Sequence, residues 1–346
     1  MTFLFIIQGE GRGHFTQAIT LWKQLQQEGH ALEKVLIGVS PFRQIPEYVK
    51  EAFPCEVTLF ASPNFITSPT RTRLCASIVY NMAVCGRYFK SINFIARTLQ
   101  QSSADKIVNF YEPLCGPAYC WHNISKPLIC IAHQYMFLHP QYSFPARFAL
   151  RKFMLKTLTR ITCAHADTVI GLSLKPLPDI PEKHLCTAPP FLNITPPPPR
   201  QDNRAYLLCY LLNAGYLQEL ESQNCPVSLH VFSDTVTESK HPHIHTHPID
   251  NSNFAAHMAH ADGLMSTAGF ETIAEAMYLH KPVWMVPANF EQQCNAHEAQ
   301  QCGAGWHSRH FNITAFLEKK LSYSPPLHFK QWVDEYSRKI IHIITR

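Results

Sequence analysis

The feature that most constrains this chain is the recurrence of short, continuous apolar runs separated by longer amphipathic stretches. Thr2–Ile7, Val35–Val39, Val57–Ala61, Lys106–Tyr111, Leu128–Ala132 and Thr168–Leu172 are runs of this kind, and the stretches between them, the longest over Leu74–Leu99, carry helical spacing. A strand that is apolar on both faces must be covered on both, so the pattern predicts parallel sheets flanked by helices. The alternation breaks once, at Pro189–Asn203, where four consecutive prolines can continue neither a helix nor a central strand. It resumes with Ala205–Leu212, Val227–Phe232, His243–His247, Gly263–Met265 and Val283–Val286. The expected α/β layout is two doubly wound, Rossmann-like domains, residues 1–190 and 204–346, joined by a proline-rich linker over 191–203. A final helix over Phe329–Ile344 is expected to pack on one of the domains, the first domain included. Such sheets bind ligands beyond the carboxyl ends of their strands.

Composition narrows the classes. Of 346 residues, 46% are apolar and 16% charged, as in a folded globular chain with two cores. A net charge of +5 is too small and too scattered to imply nucleic acid. Basic residues do gather over Arg71–Arg97 and Arg147–Arg160, interleaved with aromatics. They read as two amphipathic helices with solvated faces, or as a patch that attracts an anionic lipid surface or acceptor. The 12 cysteines include no CxxC pair, and Cys115 and Cys120 lack a second pair to complete a zinc site. Cys130 and Cys209 lie in apolar runs, as buried reduced thiols do in a cytoplasmic protein. The N-terminus reads as a first strand rather than a signal peptide, and no apolar run approaches the roughly 18–20 residues that span a bilayer. The expected location is the cytoplasm, with at most peripheral contact at the inner membrane face.

Two constellations carry chemistry. The first is Gly9-Glu10-Gly11-Arg12-Gly13-His14, directly after the first strand and opening a helix. Gly11 and Gly13 allow positive φ and close approach of a ligand, and the helix start offers free amides. This is not the GxGxxG fingerprint, and Val39-Ser40-Pro41 supplies no acidic residue after the second strand, so a nicotinamide cofactor is disfavoured. His14 is placed to act as a general base near pH 7. The second runs from Ser266 to Ala296. A strand ends in small residues, Gly269 permits a tight turn, and a helix starts with exposed amides suited to a diphosphate. Glu275, further along that helix, can accept both hydroxyls of a ribose, and the loop after Pro287 brings Glu291 and Gln292 toward sugar hydroxyls.

The order Gly269, Thr272, Glu275, then Lys281-Pro282, then Glu291, Gln292 and Asn295 resembles the donor-binding half of GT-B glycosyltransferases. It is similar in particular to the UDP-glycosyltransferases and the lipid-linked N-acetylglucosamine transferase of peptidoglycan synthesis. The resemblance implies a GT-B fold with two domains facing across a cleft. It implies that Glu275 holds the ribose, that the amides around Gly269, Phe270 and Thr272 hold the phosphates, and that Glu291 and Gln292 hold the transferred sugar. It makes His14 the base, with Glu112 standing where those families use an aspartate to orient it. His133 and Gln134, after the fifth run, are expected to face the same cleft, with a purely structural role equally open for His133. The turn carrying Asn213 and Gly215 offers further amides for phosphate. Two departures are visible: Glu271, which is expected to turn away from the diphosphate or to stabilise its helix dipole, and Thr267, where some relatives have histidine.

His241-Pro-His-Ile-His-Thr-His247 puts several imidazoles on one strand face, but no carboxylate or cysteine completes a metal site, and it reads as a polar face. The expected activity is metal-independent, inverting transfer of a hexose from a nucleoside diphosphate sugar, expected to be UDP-linked, to an acceptor hydroxyl. The sugar nucleotide is a co-substrate, no other cofactor is expected, and the acceptor is a lipid-linked molecule or a glycan. Two other classes stay open: a sugar-nucleotide epimerase of the same shape, and a non-catalytic sugar-nucleotide binding protein.

Overall fold

The apolar runs pair as strands of two wholly parallel sheets. The first contains β1 (Thr2–Gln8), β2 (Ala31–Val39), β3 (Glu56–Ala61), β4 (Lys106–Phe110), β5 (Leu128–Ala132), β6 (Thr168–Leu172) and β7 (Leu185–Ala188), in the order β3-β2-β1-β4-β5-β6-β7. The second contains β8 (Tyr206–Leu211), β9 (Ser228–Ser233), β10 (Ile244–Pro248), β11 (Leu264–Ser266), β12 (Val283–Met285) and β13 (Gly305–His307), in the order β10-β9-β8-β11-β12-β13. The computed structural model describes all residues except 42, 65, 67–73, 147, 193, 195–204, 212–213 and 234–237. Most of the expected linker, and Asn213 with it, therefore lie outside the described residues. Every residue of β5 is buried, as a strand covered on both faces requires.

The order reverses between β1 and β4 in one sheet and between β8 and β11 in the other. These switch points open crevices at the carboxyl ends of the strands. The turn Gly9–His14 leaves β1, Tyr111 and Glu112 leave β4, and Thr267–Gly269 leave β11, so the segments singled out from sequence sit at the switch points.

Four features differ from the sequence expectation. β7 and β13 are 4 and 3 residues long, too short to show a periodic signal. The stretch over 74–99 forms two helices, Leu74–Ala83 and Cys85–Gln101, broken at Val84 beside the weak helix former Gly86. The final stretch is likewise two helices, Leu327–Tyr336 and Lys339–Thr345. Although they follow the second domain in sequence, both reach back to the first. Trp332 Nε1 donates to Ser173 O at 3.4 Å, Lys106 Nζ to Ile344 O at 3.0 Å, and Lys339 Nζ to Thr187 O at 2.8 Å and Asp179 Oδ1 at 2.9 Å. The first of them, Leu327–Tyr336, also holds the second domain, where Tyr278 OH donates to Asp334 Oδ1 at 2.7 Å. One apolar core accordingly runs from Phe5 and Phe15 through Phe270 and Trp332 to Phe232 and Met285.

The described cysteines are all free thiols. No helix of the described residues is long and apolar enough to cross a membrane. Because Trp332 is buried where both domains meet the C-terminal helices, Trp332→Ala is expected to cost about 3–5 kcal/mol. The measurement is the denaturant midpoint, which should fall well below that of the parent chain.

Candidate active site at the domain junction

The glycine turn after β1 works by close approach rather than by positive φ. A Cβ at Gly9 would stand 2.7 Å from Gly38 O, and neither Gly11 nor Gly13 adopts a positive φ. Gly11 caps the helix Arg12–Gln27 in an extended conformation, which places His14 in the first turn. His14 is buried and its ring lies 5.8 Å from that of Tyr111, nearly parallel to it. Burial disfavours the imidazolium and takes the His14 pKa down to about 4, against a smaller opposing effect of Gln17. Among the described residues its Nδ1 has no hydrogen-bond partner. The expectation of a base tuned near pH 7 is therefore corrected for this conformation: His14 is held neutral, the proton-accepting form, but weakly basic.

Glu112 does not join His14. Its carboxylate accepts from the Ser62 hydroxyl and from the amides of Leu114 at 2.7 Å and Cys115 at 3.1 Å. Asn109 steadies the same turn by accepting from the Glu112 amide at 2.8 Å. The orienting role expected for Glu112 is not formed here, because its oxygens are committed to closing the turn before the helix Cys115–Trp121. Burial still pushes its pKa up to about 7. The residue that does flank His14 is Tyr111, which sequence reasoning missed. Its φ of 58° is a left-handed conformation uncommon outside glycine, and its hydroxyl is 2.8 Å from Thr159 Oγ1.

The second domain supplies the opposite wall. The tight turn after β11 is carried by Ala268, at φ 65°, and not by Gly269, which caps the helix Phe270–Tyr278 in an extended conformation. Asn295 Nδ2 donates to Ala268 O at 3.1 Å and holds the turn. The helix ends with His280 at φ 59°, while the amides of His280 and Lys281 donate to Met277 O and Ala276 O. This double closure leads into Pro282 and β12. The first-turn amides of that helix, Phe270 to Thr272, are the ones its geometry leaves for an anion. Glu275 lies on the same helix, and its carboxylate accepts no hydrogen bond among the described residues. Burial and the neighbouring Glu271 carry its pKa up to about 7. Gln292 is more committed than expected: its Oε1 accepts from the Ala288 amide at 2.8 Å while Asn289 caps the helix Phe290–Gln301. Gly215 is exposed, in the single turn Ala214–Tyr216.

The two walls meet directly. Glu271 does not turn away: its carboxylate crosses to the first domain, accepts from Gln17 Nε2, and lies where a side chain at Gly13 would have to stand. Gln134 Nε2 donates to Glu291 Oε1 at 2.9 Å. His133 stacks on Phe270 with ring centroids 3.8 Å apart, its Nδ1 is 2.8 Å from Leu172 O, and its Nε2 is 3.5 Å from Glu298 Oε2. His133 is thus an interdomain packing residue, with its pKa lowered to about 4 by burial. Of the residues singled out from sequence, the structure brings together Gly13, His133, Gln134, Phe270 and Glu291. Gln17 and Glu298 were missed, and Glu271 was expected to point elsewhere; of the two missed residues, Gln17, one helical turn beyond His14, carried a usable signal.

Burial also lifts the pKa values of Glu291 and Glu298 to about 7. A carboxylate whose folded value is raised stabilises the fold below its unfolded value near 4.5 and loses that contribution as pH rises through 7. The lowered His14 and His133 act the other way, but only between about 4 and 6.5. Between pH 6.5 and 8 the contribution of these two histidines is complete while that of the raised carboxylates is still being lost, so the thermal midpoint is expected to fall over that interval. Glu291→Gln keeps an acceptor for Gln134 and should flatten this fall, adding on the order of 1–3 kcal/mol at pH 8 and little at pH 5.

The fold is shared with solved structures over the whole chain. LpCGTa in complex with UDP is 14% identical and superposes with a TM-score of 0.67, covering 97% of this chain and 94% of that one. UGT2 of Phytolacca americana, complexed with UDP-2fluoro-glucose and pterostilbene, gives 11%, 0.65, 97% and 95%. The glycosyltransferase SnogD of Streptomyces nogalater gives 16%, 0.59, 99% and 99%. No curated protein matches this sequence. The family model for glycosyl transferase family 1 matches residues 1–322, nearly the full length over which the two sheets and their junction are built. With its two doubly wound domains closing on the His14 turn and the Gly269 helix start, the chain belongs to glycosyl transferase family 1 and is a glycosyltransferase of GT-B fold.

Proposed function

We propose that the enzyme moves a hexose from UDP to an acceptor hydroxyl, with inversion and without a metal in the reaction. The observation that carries this reading is the facing of His14 and its turn by the Phe270–Tyr278 helix start, through the contact of Glu271 with Gly13 and Gln17. The helix start would hold the diphosphate, Glu275 the ribose hydroxyls and Glu291 the sugar. The amides and helix dipole would stabilise the departing diphosphate, and neutral His14 would take the acceptor proton. With no carboxylate positioned as a nucleophile in this reading, the acceptor oxygen attacks the anomeric carbon directly. The solved neighbours that hold UDP or a UDP-sugar support a uridine nucleotide as donor.

Glu271 adds a condition. A diphosphate at the helix start would meet a carboxylate already seated against the first domain, so donor entry requires Glu271 to leave Gln17 and the junction to part. Closure after loading would exclude water.

For the acceptor, we propose a lipid-linked molecule reached from a membrane surface. Phe89 and Trp121 stack 5.5 Å apart across neighbouring helices, and Val79, Met82, Leu150 and Phe153 are exposed on the helices Leu74–Ala83 and Ala149–Thr162, which contact those two. Exposed Arg87, Lys90 and Arg97 lie on the helix Cys85–Gln101, and exposed Arg151, Lys152 and Arg160 on the helix Ala149–Thr162. Helices that expose both apolar and basic side chains suit an anionic bilayer.

UDP should raise the thermal midpoint more than other nucleoside diphosphates, and Glu275→Ala should weaken UDP at least about tenfold. His14→Ala should lower kcat about 100- to 10,000-fold with UDP affinity retained. Stabilisation by no nucleotide would end the donor assignment. Turnover of sugar nucleotide without an acceptor would favour an epimerase. Sedimentation with anionic but not zwitterionic vesicles, lost in Leu150→Asp/Phe153→Asp, is the expected membrane result.

A further inference from the structure

The sequence shows a run of histidines over 241–247 and nothing to complete a metal site with them; the tertiary structure supplies the missing partners. His230 stands on β9, His247 on the neighbouring edge strand β10, and His257 on the helix Asn251–His260 that packs over both. One ring nitrogen from each lies within 4.8 Å of the others, and all three side chains are half-buried. We propose that His230, His247 and His257 form a binding site for a borderline divalent transition metal, zinc above all, which pins the edge strand β10 to β9 and to the helix above.

Three observations carry the proposal. First, His230 Nδ1 and His247 Nε2 are 2.9 Å apart. Two imidazoles on one tetrahedral zinc, at about 2.0–2.1 Å from the ion, have nitrogens about 3.3 Å apart. The pair therefore already stands near ligand spacing, and a modest separation admits the ion.

Second, the tautomer of His257 is set. Its Nδ1 lies 2.9 Å from Asn253 O, and a carbonyl only accepts, so Nδ1 carries the hydrogen and Nε2 keeps its lone pair. Metal-bound histidines are oriented in this way, by a hydrogen bond from the ring nitrogen that does not bind. The carbonyl belongs to a helix anchored by its Asp250 cap, which accepts from the Asn253 amide at 2.7 Å.

Third, the surroundings suit a neutral-ligand site. The rings of Tyr206 and Phe232 pack against the histidines, Phe232 lying 4.8 Å from His247 and 5.3 Å from His257, and shield one side from water. Imidazole without thiolate or carboxylate selects zinc, copper or nickel over magnesium or calcium. The fourth position falls to water or to exposed His245, whose ring is 5.0 Å from that of His230.

The location gives the site its role. β10 is the outermost strand of the second sheet, and an edge strand has ladder hydrogen bonds on one side only. A metal bound by the folded chain alone stabilises it by mass action. The site lies outside the His14–Gly269 junction, so its effect is on the stability of the donor domain's edge and not on the transfer step.

The test uses the full chain without a histidine tag, freed of metal and titrated with zinc against a chromophoric chelator, then with cobalt as a spectroscopic probe. One zinc per chain with sub-micromolar affinity is expected, with a raised thermal midpoint and the visible bands of four- or five-coordinate cobalt. His257→Gln and His247→Gln should each weaken zinc by at least about 100-fold, beyond what loss of an outer partner costs. His241→Gln/His243→Gln should bind as the parent does. Circular dichroism of the metal-free variants checks folding, and His247→Gln, at the sheet edge, serves if His257→Gln does not fold. Weak or multiple binding, or equal loss in the His241→Gln/His243→Gln control, would overturn the proposal and leave only adventitious metal capture by exposed histidines.

Discussion

A carboxylate of one domain resting on the backbone of the other organises this molecule. Glu271 reaches from the first turn of its helix to Gln17 and covers Gly13, whose missing side chain makes the room. The adjacent Phe270 then lies flat on His133, and the next helix brings Glu291 to Gln134. Each contact requires the switch points of the two sheets to face one another. The C-terminal helices, bonded to Ser173 and Thr187 on one side and to Tyr278 on the other, hold them in that relation.

That closure shapes the electrostatics. Glu112, Glu275, Glu291 and Glu298 are all raised to about 7, and His14 and His133 lowered to about 4, with burial the largest cause in each. A low-dielectric junction draws both kinds of group toward their neutral forms. Ordinary acid–base behaviour is therefore restored only when polar ligand groups or water enter. His14 is the plainest case. Among the described residues it has no carboxylate partner, and its Nδ1, unpaired there, is the atom an orienting acceptor would have to meet.

Much of the fold was legible because burial on both faces leaves an unambiguous mark. The runs at Leu128–Ala132 and Thr168–Leu172 are strands with those same limits. β7 and β13 escaped because 3 or 4 residues carry no period. Glycine was the less reliable guide. Positive φ in the site falls on Tyr111 and Ala268, where the surrounding hydrogen bonds impose it, while Gly9 and Gly13 are glycines for lack of space. Glu112 was chosen for its place after a strand, but place does not say which amides a carboxylate will find.

The sequence alone determined the class of fold, the positions of the two turns after β1 and β11, and the donor-like order from Gly269 to Asn295, because these depend on local spacing along one chain. It could not determine partners separated by many residues. That Glu271 meets Gln17, that Glu112 is committed to Ser62, and that His257 and His230 join His247 were decided by tertiary structure. The physical reason is common to all three. A polar group taken out of water must find a partner or shift its protonation, and which partner stands close to it is set by how helices and sheets pack.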